Sequence, residues 1–351
     1  MALKNYSTIV DDIQDYLGSN ATDFTDALML KWVPQGLSEF SGYCPHIVRE
    51  TFPTTDGSKE LDISEIKDLL WIDALEFRTG KTIRQWRNFT RHHNTQVSME
   101  IDFFPADADT GIDTDEALTA GETTIDCDAD ATDDIPVGTI IRIESELYYV
   151  TGTGTTLTVV AGYGRSTQTT HTTNQDIYIP ELAYLYCAKT HKLPAVATIV
   201  GAATANYTAG VLTINVDGLT STGTIEAGTT FTIASDGTTT HYTLLDDTVL
   251  SGGAGNFVFT PALAEDILEN VVVSCDNSTM TPALETLFID LVAARSALSI
   301  STKFIQGIPQ SGRNPFRDYM TWWQQQLGIT LQKLQNEALK YRKPYTILPR
   351  S

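Results

Sequence analysis

Basic residues are almost missing from the middle of this 351-residue chain. From Ala106 to Thr279 there are 4 Lys/Arg against 24 Asp/Glu, a net charge of −20. The remainder holds 19 Lys/Arg against 20 Asp/Glu and supplies only −1 of the total of −21. A field of that sign repels polyanions, which excludes wholesale nucleic-acid coating but leaves a local basic surface at the ends open. Long apolar runs are lacking too, and none approaches the ~18 residues of a membrane-spanning helix. The opening MALKNYSTIVDDIQDYL passes from one lysine into an acidic helical pattern and lacks the apolar core of a secretory signal. Cysteine is scarce. Cys44, Cys127, Cys187 and Cys275 are scattered with no C-x-x-C pair, which favours free or buried thiols over a disulfide framework or zinc site.

Signatures of catalysis are also lacking. No G-x-S-x-G, P-loop, dinucleotide fingerprint or H-E-x-x-H occurs. Gly162-Tyr-Gly164 is too short to cradle a phosphate and reads as a tight turn. Asp126-Cys-Asp-Ala-Asp130, followed by Asp133-Asp134, imitates the opening of a calcium loop. Ala131, however, stands where such a loop needs glycine, and Val137 where it needs a bidentate Glu. A solvated acidic turn is the better reading. His92-His93 lies among Arg84, Arg87 and Arg91 with no third ligand nearby, so it reads as a surface loop. Cys44 has no nucleophile signature around it and reads as a buried thiol. The expectation is a chain that is not an enzyme and carries no cofactor and no metal.

What is present is helical pattern at both ends and short strands between. Thr8 to Leu17 places Ile9, Ile13 and Tyr16/Leu17 on one face. Asn20-Ala-Thr-Asp23 offers an N-cap for a second helix through Phe24, Ala27, Leu28 and Leu30, with a kink expected at Pro34. Strand-like segments follow at Ile47–Phe52, Lys59–Ile63, Ile72–Phe77 and Val97–Phe103, with Asp56-Gly57 as a hairpin turn. The acidic stretch then divides into two β regions. The first carries strands at 124–127, 139–144, 146–151 and 156–160 and suggests a small barrel or sandwich. The second carries strands at 211–216, 230–234, 240–244 and 257–260, a short helix at 263–269 and Val271–Val273. Between them Leu182 to Leu193 alternates and should rejoin the first sheet. Thr281-Pro-Ala-Leu-Glu285 marks a strong helix start, and a last helix runs from Phe316 to about Tyr341.

The C-terminus is the one clearly basic region, with 8 Lys/Arg against 2 Asp/Glu from Lys303 onward. Lys340, Arg342 and Lys343 complement a helix dipole. That does not account for the tail, where Tyr345, Ile347 and Leu348 are apolar and two prolines flank them ahead of Arg350. An extended apolar and basic segment of this kind reads as one that docks on another chain.

In this order, Leu37-Ser-Glu-Phe-Ser41, Pro45, Asp56-Gly-Ser58, Glu60-Leu-Asp-Ile-Ser64, Asp68-Leu-Leu70, Ile72-Asp-Ala-Leu-Glu-Phe77, Tyr184 to Leu193 with His191, and Met280 to Leu298 resemble the head–tail adaptor (connector) proteins of tailed bacteriophages. The likeness covers roughly half of the chain. Ala117-Leu-Thr-Ala-Gly121, residues Thr139 to Glu146, and Gly162-Tyr-Gly164 with His171 resemble a small domain of phage structural proteins. Residues Ile225 to Ile233 and Thr260-Pro-Ala-Leu263 resemble another phage-associated β domain. The second β region departs from the adaptor pattern, because it separates the His191 strand from the helix at Met280.

The resemblance implies an α+β fold: a helical adaptor body, with N- and C-terminal helices plus a small sheet, and two inserted all-β domains. The expected divisions are body 1–108, β domain 109–180, return strand 181–194, β domain 195–278, helices 279–342 and docking tail 343–351. The resemblance further implies a ring, commonly of twelve copies, beneath the portal at the neck of a virion, joined to a downstream neck or tail protein and to no membrane. Lys340, Arg342, Lys343, Tyr345, Ile347, Leu348 and Arg350 would dock on the portal. Lys303, Arg313, Arg317 and Lys333 would meet packaged DNA without sequence preference. The alternative is another virion component, such as a decoration, tail or fibre-attachment protein that binds partners through its β regions.

Overall fold

The computed structural model describes residues 4, 6–18, 24–64, 66–79, 84–93, 95–193, 199–219, 224–234, 239–275, 278–304 and 315–341. The chain opens with α1 (Tyr6–Tyr16) and α2 (Asp26–Tyr43), followed by β1 (His46–Pro53), β2 (Glu60–Asp62), β3 (Leu69–Phe77), β4 (Phe89–His92) and β5 (Gln96–Met99). Next come β6 (Ala108–Asp113), β7 (Thr124–Asp126), β8 (Ile140–Ile143), β9 (Glu146–Gly152), β10 (Thr156–Ala161) and β11 (Asp176–Ile179), then β12 (Leu182–Lys189). A further group follows: β13 (Val200–Ala203), β14 (Thr213–Asp217), β15 (Thr224–Ile225), β16 (Thr230–Ala234), β17 (Thr239–Leu244), β18 (Thr248–Val249), β19 (Gly255–Thr260) and β20 (Val272–Ser274). The last elements are α3 (Pro282–Phe304) and α4 (Pro315–Tyr341). Among the described residues no helix is long and apolar enough to cross a membrane.

The expected fold class is corrected. Strands hold 37% of the chain and helices 25%, so this is a mostly β protein and not a helical body carrying inserted domains. The physical reason lies in how the apolar residues are shared out. The four helices build one core, around Ile9, Met29, Phe40, Phe288 and Trp323. The segment next to them builds a separate core from sheets, around Leu61, Val97, Phe104, Leu185 and Cys187. Strands β1, β12 and β3 form one antiparallel sheet in that order, and β2, β5 and β4 form another. In the first, Val48 lies opposite Cys187, and Leu185 opposite Leu75.

The acidic middle adds two further sheet cores. One is a six-stranded sheet in the order β6-β11-β8-β9-β10-β7, whose two edges approach at a bridge between Thr114 and Cys127. The other is a closed barrel, β13-β14-β19-β17-β16-β20, filled by Phe231, Tyr242, Phe257 and Phe259. Alternation explains both. In β14, Ile214 and Val216 point inward while Asn215 and Asp217 are exposed, so the carboxylates stay in water at no cost to the core.

Several local expectations also change. Asp56-Gly57 does form a turn, with Gly57 at φ 72° and the Ser58 amide donating to the Thr55 carbonyl at 3.0 Å. It is not a hairpin, because β1 pairs with β12 and β2 with β5. The helix expected at 263–269 is extended chain. Ile267 exchanges backbone hydrogen bonds with Tyr207, and Leu263 donates to the Val211 carbonyl. Leu263 and Ile267 close the barrel core while Leu268 stays in water, so the i, i+4 spacing of the first two served a cap and not a helix. Strand β5 stops at Met99, short of Phe103. The second helix starts at Asp26, while Asn20 to Asp23 lie outside the described residues. Pro34 sits inside α2.

Two contacts set the barrel on the first sheet. Gly228, at φ 78°, presses on β1 so closely that an added Cβ would lie 2.5 Å from Val48 Cγ2 and 2.8 Å from His46 Nε2. Its carbonyl lies 3.0 Å from His46 Nε2. Beside it Glu226 pairs with Lys192 and, at 3.7 Å, with Lys67.

Candidate functional site

The two ends of the chain meet in the helical core. The Lys4 amide donates to Glu285 Oε1 at 2.8 Å, and the Ser278 amide donates to the Lys4 carbonyl at 3.0 Å. Helix α3 is the centre of this unit, with Leu291, Val292, Ala293, Ala294 and Ala297 fully buried. Gly36 of α2 lets the two helices approach: a Cβ there would lie 2.5 Å from Val292 Cγ2. Cys44 is buried beside α4, its thiol 3.9 Å from the Leu334 carbonyl, and burial pushes that thiol up to about 11, which leaves it unreactive at neutral pH.

Helix α4 is buried along a narrow stripe of Trp323, Thr330 and Leu334. Trp323 meets the Tyr16 ring edge-on at 5.9 Å. Other apolar side chains on the same helix stay in water: Trp322 is 45% exposed, Ile329 47% and Leu339 63%. A helix that only had to pack on its own chain would put polar residues there. No family model, no curated protein and no solved structure matches this chain.

The basic residues singled out in the sequence do not gather in one place. Lys303 and Arg317 fall at the joined ends of α3 and α4, whereas Lys333 lies about 24 Å further along α4 at 1.5 Å per residue. Lys333 reaches Asp290 on α3 at 3.9 Å, and Lys340 pairs with Glu337 at 2.6 Å. Arg313, Arg342, Lys343, Tyr345, Ile347, Leu348 and Arg350 lie outside the described residues. The acids of the Asp126–Asp134 stretch do not converge either. Asp126 accepts from the Thr156 hydroxyl, Asp128 from the Asp113 amide and Asp130 from the Thr132 amide. Among the described residues no group of three His, Cys, Asp or Glu is placed to hold a metal.

Sequence reasoning missed two buried polar clusters. In the first, His171 stands between two carboxylates, with Nδ1 2.8 Å from Glu144 Oε2 and Nε2 2.9 Å from Glu146 Oε2. A neutral imidazole has one ring N–H, so holding both carboxylates requires the imidazolium. Burial works against that charge, but the hydrogen bonds and charges of Glu146 and Glu144 outweigh it and raise the His171 pKa. Glu146 is fully buried and also accepts from the amides of Thr169 (2.9 Å) and Gly162 (3.1 Å). The signal was available in Glu144-Ser-Glu146 at a hairpin turn, with a lone histidine on the next bridge.

The second cluster lies where the six-stranded sheet meets the barrel, at a cavity of about 750 Å³ lined by Gln168, Asp246, Thr248 and Asn256 among others. Asp246 accepts from the Gly164 amide. Burial, with Asp247 nearby, pushes its carboxyl up to about 7. Two further groups are buried at the base of the barrel. Lys189 pairs with Glu50, each almost fully enclosed. His46 and His191 lie 5.5 Å apart, and burial lowers them to about 4 and about 3, so both rings are neutral at physiological pH. These groups tie sheets together. They do not line up a nucleophile, a base and an oxyanion donor around an open site.

Proposed function

We propose that this chain is a non-enzymatic structural connector of a tailed phage. It forms a ring of identical subunits, commonly twelve, beneath the portal at the head–tail neck. The ring joins the capsid to a downstream neck or tail protein and leaves a channel for DNA. The ordered resemblance of residues 37–77, 184–193 and 280–298 to head–tail adaptors supports this reading.

The observation that carries it is the near-neutral charge of a helical unit that leaves apolar side chains uncovered, set against the acidity of the β units. The helical unit formed by both ends of the chain is close to neutral and leaves Leu30, Trp322, Ile329 and Leu339 in water. The β units between them hold nearly all the net negative charge. A ring subunit needs surfaces on which copies can meet and others that stay clear of the joint, and that division supplies both. Residues 340–350 then serve as the segment that reaches the portal, where many copies of a weak contact add up.

Imaging the neck of the source virion by cryo-electron microscopy tests the reading. A ring of this chain under the portal, with the segment from Lys340 onward against it and the acidic units outside, is expected. Density on the capsid wall or along the tail refutes the connector reading and favours a decoration or tail protein.

A further inference from the structure

We infer that copies of this chain join head to tail through two different helix faces, the α4 flank of one copy resting on the outer face of α2 of the next. The inference rests on the connector reading and names the surfaces that would close its ring.

On α4, Trp322 and Ile329 are seven residues apart and so lie on one flank, turned roughly 100° from the buried stripe of Trp323, Thr330 and Leu334. Lys333 and Lys340 continue near that flank toward the C-terminus. On α2, the buried residues Met29, Val33, Gly36 and Phe40 face α3, and the opposite side presents Ala27, Leu30 and Pro34 to solvent. Leu30 is 52% exposed. Thus one compact helical unit carries two uncovered apolar faces on two helices, and nothing in the described chain covers either.

Charge selects the occupant. Two copies at −21 each repel, and the repulsion is worst wherever the acidic β units oppose one another. The terminal segments, with 20 acids against 19 bases, are the part of the chain that can approach its own copy without that penalty. The α4 flank carries Lys333 and Lys340, paired with Asp290 and Glu337, while the outer face of α2 starts at Asp26 and carries a single Lys31. Two faces that differ in this way make a heterologous contact, the kind that closes a ring by rotation. A self-complementary contact would stop at a dimer.

The test uses the full chain with two single variants, Leu30→Asp on α2 and Ile329→Asp on α4. Both positions are about half exposed, so each variant should keep the wild-type circular dichroism and melting temperature. Sedimentation velocity and mass photometry then follow association. Each variant alone should lose the higher oligomers of the wild type, with association weakened at least roughly tenfold. Mixing them is the decisive step. The intact α4 of the Leu30→Asp chain can still meet the intact α2 of the Ile329→Asp chain, so the mixture should yield a heterodimer and nothing larger.

Failure of the mixture to form that heterodimer overturns the inference, as does a wild-type chain that stays monomeric at every soluble concentration. Variants that assemble like the wild type also overturn it, while leaving the connector reading intact. That reading fails separately, if the virion neck lacks a ring of this chain.

Discussion

Replacing His171 by Leu should unlock the six-stranded sheet, and the loss should depend on pH in a defined direction. Leu has a similar volume and no hydrogen-bond donors. The change leaves Glu146, which has no exposed surface, holding two backbone amides and no cation. Breaking a buried ion pair by removing one partner costs about 3–5 kcal/mol. Glu144 adds little to this, because its side chain is 53% exposed and solvent screens it to about 0–1 kcal/mol. The expected cost is therefore set by Glu146.

The sign of the pH effect follows from the raised pKa of His171. A histidine that binds its proton more tightly when folded contributes its full stability below the unfolded value of about 6.5. That contribution falls by about 1.4 kcal/mol per pH unit from there up to the folded pKa, and is gone above it. Hydrogen-exchange mass spectrometry is the suitable assay, since it reads local opening. The reporting amides are those of Leu118 and His171, which bond to each other's carbonyls at 3.0 Å. At pH 6 the variant should exchange there at least a hundredfold faster than wild type, once intrinsic rates are corrected, and the gap should narrow toward pH 9. A cost below about 1 kcal/mol, or one equal at both pH values, would refute the imidazolium clamp.

Three other outcomes are expected. Asp246→Asn should stabilise the protein at pH 8 by about 1–3 kcal/mol, because a carboxyl raised to about 7 is costly in its charged form. Wild-type stability should fall as pH rises from about 4 to about 7 through this group, and melting curves of the Asn variant should lack that slope. Gly228→Ala should destabilise by about 2–4 kcal/mol in urea titrations, since φ 78° disfavours a side chain and the new Cβ would overlap Val48. A loss under ~0.5 kcal/mol would mean the barrel seat on β1 is loose. Self-association should strengthen between 20 and 300 mM salt (concentrations on the order of those spanning a Debye length from about 20 to 6 Å), because screening relieves repulsion between acidic units. Sedimentation showing the reverse would mean that opposite charges drive assembly.

Legibility in the sequence followed periodicity and stopped where long-range pairing began. Ile9, Ile13, Phe288 and Leu291 announce their helix faces by spacing alone, and they are buried. The face of α2 does not follow the expected spacing: Ala27 and Leu30 of that pattern are exposed, and Met29 and Val33 are buried in their place because that side meets α3. Alternation in Leu182–Lys189 is equally plain, and that strand is the middle one of its sheet. Short strands with polar sequences were not legible. Ala108–Asp113 carries three residues with strong turn preference and forms an edge strand only because β11 is there to pair with it. The Leu263–Glu269 segment failed for the opposite reason, since its local helical spacing was overridden by pairing with Tyr207. On α4 the helical spacing puts Trp323 and Leu334 on the apolar stripe and takes Trp323 as core; both are buried, Trp323 against Tyr16, while its neighbour Trp322 is exposed.

The charge pattern connects these observations to assembly. Of the four basic residues in the acidic middle, three are engaged in ion pairs within the chain. Arg142 bonds Asp107 at 2.8 Å at the edge of the six-stranded sheet, Lys189 is buried against Glu50 of β1, and Lys192 meets Glu226 at the barrel seat. They contribute little to offsetting the field that the middle projects into solvent. The acids are left to crowd one another, as at Asp113, whose carboxyl is raised by local desolvation and by Asp176, Asp128 and Asp109 beside it. Such a surface is poorly suited to contact with its own copies or with DNA, and well suited to staying apart from both. The helical unit has the opposite character in charge: it is near neutral and carries the chain's basic end. In the proposed ring, contact between copies therefore falls to the helices, while the barrel is held on the first sheet by Gly228 against Val48 and by Glu226 against Lys192.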